Sequence, residues 1–242
     1  AGGGFLLAFA GASKLYPGLL GVYLLTRRRW RDIAWTVACG VGFALLSLLA
    51  FGRGPWDAFL EHMPRLLSGE SFPAFRNPMA MAINFSVPGL VFKAHVFGAP
   101  ASFEAMKIAG WVYTFAAVAA IWFVARRPLR PEEKPVLWLA MLILATLRSP
   151  FLPQSYAGFP ALWLLTLGGA IEEPTPRRLA IILTIWAGLN IMWPLDWPID
   201  PRALAILSSV PQALTILLAV LALVPRRAPA TDEDVAPMRL AA

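Results

Sequence analysis

The sequence predicts an all-α polytopic membrane protein, with about seven transmembrane helices plus interfacial helices in a long outer loop. Three observations predict it. Of 242 residues, 58% are hydrophobic and only 14% are charged, against roughly 25% charged in a soluble domain. The apolar residues fall in long runs, several near the ~20 residues that cross a bilayer. The basic residues behind the net charge of +7 cluster at the ends of those runs, a membrane-topology pattern rather than a nucleic-acid surface. Together these exclude an ordinary soluble enzyme, a disordered chain and a secreted disulfide scaffold. The single cysteine, Cys39, lies inside an apolar run and can form neither an internal disulfide nor a cysteine-built metal site.

The first expected span runs from Gly2 to Leu25, interrupted by Lys14 and Pro17, and the second from Ile33 to Gly52. The third is Ile108–Ala125, the fourth Pro135–Leu147 and the fifth Tyr156–Ile171. The sixth is Leu179–Trp193 and the seventh Ala203–Val224. The fourth and fifth are short, which leaves open a single re-entrant hairpin. The chain opens Ala1-Gly2-Gly3-Gly4, without a methionine or a basic flank, and reads as the C-terminal part of a longer protein. Residues 1–225 form the transmembrane domain, and 226–242 a polar, disordered cytoplasmic tail.

Lysine and arginine set the orientation. The turns after spans one, three and five hold Arg27, Arg28, Arg29 and Arg31; Arg126, Arg127, Arg130 and Lys134; and Arg177 and Arg178. Arg226, Arg227 and Arg239 follow span seven, whereas the opposite short turns hold only Arg148 and Arg202. Basic short loops stay cytoplasmic, so the chain is expected to start outside and end inside.

The loop 53–107 is long and lies on the outer side. Loops beyond about 12–15 residues are functional or disordered, and this one is too apolar for disorder. Trp56, Phe59, Leu60, Met63 and Leu67 recur at helical spacing after Pro55. They predict an amphipathic interfacial helix over Pro55–Leu67, kinked or ended near Pro64. Val87–Phe97, carrying Lys93 and His95 among apolar residues, reads as a second interfacial or re-entrant segment.

No Gly-rich phosphate loop, dinucleotide fingerprint or His-Glu-x-x-His is present. Two histidines, His62 and His95, and one cysteine offer no cluster for a metal. The informative groups are ionisable residues in or beside apolar spans, which are costly there and often functional. Lys14 stands near the middle of the first run, and Pro17 breaks the helix a turn later. It reads either as a cation facing a phosphate-bearing ligand or as a lysine snorkelling from two shorter helices. Arg148-Ser149-Pro150 and Gln154-Ser155-Tyr156 meet at the outer mouth of the bundle, as site residues or as interfacial anchors. Arg76-Asn77-Pro78 and Asn84-Phe85-Ser86 are polar islands in the long loop, the second formally a glycosylation acceptor.

Lys14-Leu15-Tyr16-Pro17, a following apolar helix and the turn Arg27-Arg28-Arg29-Trp30-Arg31 resemble glycosyltransferase family 87. Those are membrane mannosyltransferases and relatives of GT-C architecture. Asn84-x-Ser86 in a long outer loop, and Ser149-Pro150 followed by Tyr156, are similar to the same family. The chain departs from it at Phe85, where the family tends to have Gln, and at Leu152, Gln154 and Ser155, where it tends to have Trp and His. The resemblance implies a polyprenyl-phosphate sugar donor, commonly of mannose, and an outer-leaflet glycolipid or glycan acceptor. The expected substrate-binding residues are Lys14, Tyr16, Arg76, Asn84, Arg148 and Tyr156, with the cations Lys14, Arg76 and Arg148 stabilising the phosphate leaving group and no cofactor or metal required. The resemblance puts the catalytic aspartate ahead of Ala1, so Asp57, Asp196 and Asp200 are not assigned as the general base. Abundant Ala, Gly, Arg and Trp beside few Lys point to a GC-rich bacterium, hence to a multi-pass plasma-membrane protein with its active face outside. The alternatives are a multi-pass transporter or lipid flippase, and a non-catalytic membrane subunit.

Overall fold

The computed structural model describes residues 2–14, 16–170, 175–191 and 199–224. The expected tail, Asp196, Leu15 and the ends of spans five and six lie outside the described residues. Every regular element among the described residues is helical. α1 (Gly2–Ser13) leads through a 3₁₀ turn (Tyr16–Leu20) to α2 (Gly21–Thr26) and α3 (Trp30–Phe51). The long loop folds as α4 (Gly54–Ser68), a 3₁₀ turn (Pro73–Arg76), α5 (Pro78–Ala82) and α6 (Leu90–His95). The bundle continues with α7 (Phe103–Arg126), α8 (Glu133–Thr146), α9 (Ser155–Ala170), α10 (Pro176–Leu189) and α11 (Pro201–Leu223).

Local chemistry sets several of the boundaries. Ser102 accepts from the Ala105 amide at 3.1 Å to cap α7, and Thr175 from the Arg178 amide at 3.2 Å to cap α10. Asp200, one of the unassigned carboxylates, caps α11 by accepting from the Arg202 and Ala203 amides. Pro176 and Pro201 open their helices, where the missing N–H would be unpaired in any case.

Among the described residues, three helices are long and apolar enough to cross a membrane: α3, α7 and α11, of 22, 24 and 23 residues. The expected spans four to six are α8, α9 and α10, of 14, 16 and 14 residues. They measure about 21–24 Å at 1.5 Å per residue, short of the ~30 Å hydrocarbon core. α8 is nevertheless the hub. Val136, Leu137, Ala140, Met141, Ile143, Leu144 and Ala145 are all buried, because α2, α7, α9 and α11 surround it. α3 is the opposite, with no buried side chain along its length.

The first expected span is corrected. It is a hairpin rather than one interrupted crossing. A Cβ on Gly4 would lie 2.7 Å from that of Trp35, and the rings of Phe5 and Phe9 lie 5.4 and 6.2 Å from Phe43. α1 therefore runs parallel to α3, away from the basic turn. After the break at Lys14–Pro17 the chain returns, with the Tyr23 ring 5.0 Å from Trp138 near the start of α8. Arg27 then donates to the Arg127 carbonyl, and Arg127 donates to that of Leu223. The ends of α2, α7 and α11 thus meet on one basic face, as alternation of the basic turns requires. Gly2 starts near that same face, since Gly3 shares a cleft with Arg29 and Asp32. The chain, expected to start on the face opposite the basic turns, starts on theirs because a reversal, not a kink, occurs at Pro17.

The long loop roofs the opposite face. α4 continues through Pro64 to Ser68 and stops at Gly69, whose φ of 90° ends the helix. Any Cβ on Gly69 would also sit 2.2 Å from Met106. The segment Val87–Phe97, expected as interfacial or re-entrant, is tucked in rather than laid on the surface. α6 buries Phe92 and Lys93, and Phe92 stacks in an aromatic cluster with Phe75 and Phe103 at centroid distances of 4.6 and 4.9 Å.

Candidate functional site

The roof is pinned to the bundle by one short stretch of the loop. Phe85 donates its amide to the Leu152 carbonyl at 2.9 Å, and Val87 donates its amide to the Leu147 carbonyl at 3.0 Å. Between them, Asn84 Oδ1 accepts from the amides of Ser86 and Leu152 at 3.1 and 3.0 Å. Its Nδ2 donates to the Pro150 carbonyl at 3.1 Å, which also accepts from Ser86 Oγ at 2.7 Å. Ser86 Oγ in turn accepts from the Gly89 amide at 2.9 Å. Asn84 and Ser86 are fully buried. Asn84, expected among the substrate-binding residues, is thus enclosed by the protein itself. Its oxygen and nitrogen are spent on holding the Arg148-Ser149-Pro150 turn in place. Gly89 is required here, because a Cβ would lie 1.9 Å from Asn84 Nδ2. The Phe85 side chain is wholly buried in the core of α8, α9 and α11, where an amide would need partners that apolar neighbours do not provide.

The turn that this clasp holds presents Arg148 to a cavity of about 610 Å³, within the usual size of a ligand pocket. Tyr16, just past the hairpin tip, lines it from one side and Arg148 from another. The Tyr16 hydroxyl lies near the Ser149 side chain, and Ser149 Oγ donates to the Phe151 carbonyl at 2.6 Å. Arg148 Nε donates to Thr114 Oγ1 at 2.6 Å. Burial lowers the Arg148 pKa from its usual value, and the Tyr16 hydroxyl acts against that shift. The side chain remains a half-buried cation with its terminal nitrogens near the cavity. Gly110 makes that placement possible, since a Cβ there would stand 3.0 Å from the guanidinium carbon.

The other walls carry charges that sequence reading passed over. α7 contributes Glu104, Lys107, Trp111 and Thr114, and the end of α4 contributes Arg65, with Glu70 just beyond it. In sequence these are ordinary charges of a polar loop or helix start. Only the folding of α4 over α7 brings them together, and no spacing between residues 70 and 104 signals it.

Lys14 does not line this cavity. Its ammonium lies 3.2 Å above the ring centroid of Tyr156, a cation–π contact joining the hairpin tip to the start of α9. The structure therefore pairs Tyr16 with Arg148 and Lys14 with Tyr156, in neighbouring places. Arg76 is exposed at the end of its 3₁₀ turn, outside the cavity lining. His62 is exposed and bonded only to the Ala58 carbonyl of its own helix. Lys93 is 4% exposed and donates to Ser208 Oγ at 3.0 Å and Gln212 Oε1 at 2.7 Å, locking α6 to α11.

The family model for glycosyltransferase family 87 matches residues 2–150, from α1 to the Arg148-Ser149-Pro150 turn. The chain belongs to glycosyltransferase family 87. Neither the curated proteins nor the solved structures yield a match. Membership makes the protein a membrane glycosyltransferase. The matched segment contains the hairpin, α4, the clasp, α7 and Arg148, and with them every residue that lines the cavity.

Proposed function

We propose that this family 87 glycosyltransferase moves a sugar, mannose on the family resemblance, from a polyprenyl-phosphate donor to a glycolipid or glycan acceptor. The reaction takes place on the extracytoplasmic face of a bacterial plasma membrane, in a GT-C architecture. The observation that carries this reading is the half-buried Arg148 facing a cavity on the side away from the basic turns. A donor anchored by its lipid brings its phosphate to membrane depth and needs no nucleotide-binding domain.

The chemistry follows from charge. The acceptor hydroxyl attacks the anomeric carbon, and the bond from that carbon to the phosphate oxygen breaks. Its electron pair leaves with the phosphate, and the hydroxyl proton passes to a carboxylate acting as general base. Negative charge grows on the departing phosphate, so a cation held beside it lowers the barrier. Arg148 fills that role because a guanidinium meets phosphate oxygens in pairs, and Thr114 and Gly110 hold it in one orientation. Tyr16 offers its hydroxyl beside it. Lys14 on Tyr156 stands at the hairpin tip as a second cation for the same headgroup. The roof formed by α4 keeps water from the electron-poor anomeric centre.

The test is a transfer assay with the full-length protein in membrane vesicles, supplied with radiolabelled polyprenyl-phosphate-mannose and membrane glycolipids. Label should move to the glycolipid fraction, and Arg148→Ala should reduce that movement at least 100-fold. No transfer from this donor, or transfer unaffected by Arg148→Ala, overturns the proposal.

A further inference from the structure

Glu104, Lys107, Trp111 and Thr114 follow one another at intervals of three, four and three residues. That spacing places them on one face of α7, and all four line the cavity. Glu104 and Thr114 are ten residues apart, about 15 Å along the helix axis. The strip therefore runs from the roofed mouth of the cavity down to Arg148, which bonds Thr114. Its upper part serves no evident structural purpose. Glu104 and Lys107 form an exposed pair at 3.7 Å, a contact of little value to stability. Trp111 packs its ring against Phe115 of its own helix, at 6.1 Å between centroids, and lines the cavity.

We propose that this upper strip is the seat of the acceptor saccharide and determines which saccharide is accepted. The inference rests on the transferase reading only in assigning the lower end, at Arg148, to the donor phosphate. Three features support it. Glu104 on α7 and Glu70 beyond α4 both line the mouth, and a carboxylate accepts two hydroxyl hydrogen bonds at once. Trp111 lies between mouth and phosphate end, where its ring can cover the apolar face of a pyranose. The mouth carries two acids, Glu70 and Glu104, and two bases, Arg65 and Lys107. Charges in that balance suit a neutral polyol and disfavour a second anion, whereas the cation at the lower end has no carboxylate partner among the described residues.

Equilibrium binding to the purified full-length protein tests this, with two probes measured separately. One is a set of neutral manno-, gluco- and galacto-oligosaccharides, and the other is polyprenyl phosphate. At least one neutral oligosaccharide should bind the wild type. Glu104→Gln and Trp111→Ala should each weaken that binding tenfold or more, leaving polyprenyl phosphate binding within twofold. Arg148→Ala should do the reverse. Glu104 is exposed, so its isosteric variant tests the site without endangering the fold. Saccharide binding that is absent in the wild type, or unchanged in both strip variants, overturns the inference. Saccharide binding that behaves as expected beside no binding of polyprenyl phosphate keeps the saccharide seat and overturns the donor reading instead.

Discussion

The clasp around Asn84 and the cavity around Arg148 are neighbours made of similar polar residues, yet their polar atoms are used in opposite ways. In the clasp, every hydrogen-bonding atom of the Asn84 side chain that packing encloses has a protein partner, and nothing faces outward. In the cavity, Arg148 uses one nitrogen on Thr114 and keeps the rest of its fork beside open space. A satisfied buried group specifies structure, whereas a half-buried charge with free donors awaits a ligand. The same turn serves both, since Pro150 accepts from the clasp while Arg148, two residues earlier, lines the cavity. The clasp aims the arginine.

Substitutions should separate the two regions by what they change. The largest effect belongs to Arg148→Ala, which should cut transfer by about 10²–10³-fold, the usual range for losing one charge-stabilising donor. Thermal stability in detergent should barely move, and Arg148→Lys should recover only part of the activity. Asn84→Ala should act through the fold. It leaves the Leu152 and Ser86 amides buried without an acceptor, at about 1–3 kcal/mol each, so a lowered melting temperature should precede any loss of activity. Gly89→Ala should resemble it, because the new methyl collides with the same amide.

Gly110→Ala is the sharper probe. Its methyl meets only the tip of a flexible side chain, so stability should be kept while Arg148 is pushed off Thr114. Transfer should fall about tenfold, and an unchanged rate would break the link between guanidinium position and activity.

Lys93 offers a pH test on the structural side. Burial holds its pKa down, from 10.5 to about 8. Between those values the unfolded chain binds more protons than the folded one, so stability should rise as pH increases from about 8 to 10.5. Lys93→Met should flatten that slope in melting curves, with transfer at pH 7 preserved. The smallest effect is expected at Tyr156. Tyr156→Ala removes a cation–π contact with Lys14 worth about 0.5–1 kcal/mol at an exposed site, and Tyr156→Phe should keep most of it. If the phenylalanine variant instead loses transfer, the hydroxyl rather than the ring face is what the site uses.

Much of the architecture was legible from residue order alone. Apolar runs require helices wherever backbone groups leave water, and α3, α7 and α11 fall where those runs predicted. Pro55 and the spacing from Trp56 to Leu67 announced α4, and Lys14–Pro17 announced a break. The basic turns marked one face, which Arg27, Arg127 and the end of α11 then share. Short motifs around Lys14, Asn84 and Ser149 carried the family.

The course of the chain past that break needed packing to decide. A run interrupted by proline has the same composition whether it bends or reverses, and only the contacts of Gly4 with Trp35 and Tyr23 with Trp138 choose reversal. Asn84 could not be told from a ligand-binding residue in sequence, because burial is a property of what surrounds a side chain. Glu70, Glu104 and Lys107 look like solvated charges until α4 folds over α7. Sequence order determines which segments leave water, since transfer free energy is local to each residue. Tertiary structure alone decides which polar groups find partners and which are left facing a cavity, because that depends on residues distant in the chain arriving at one place.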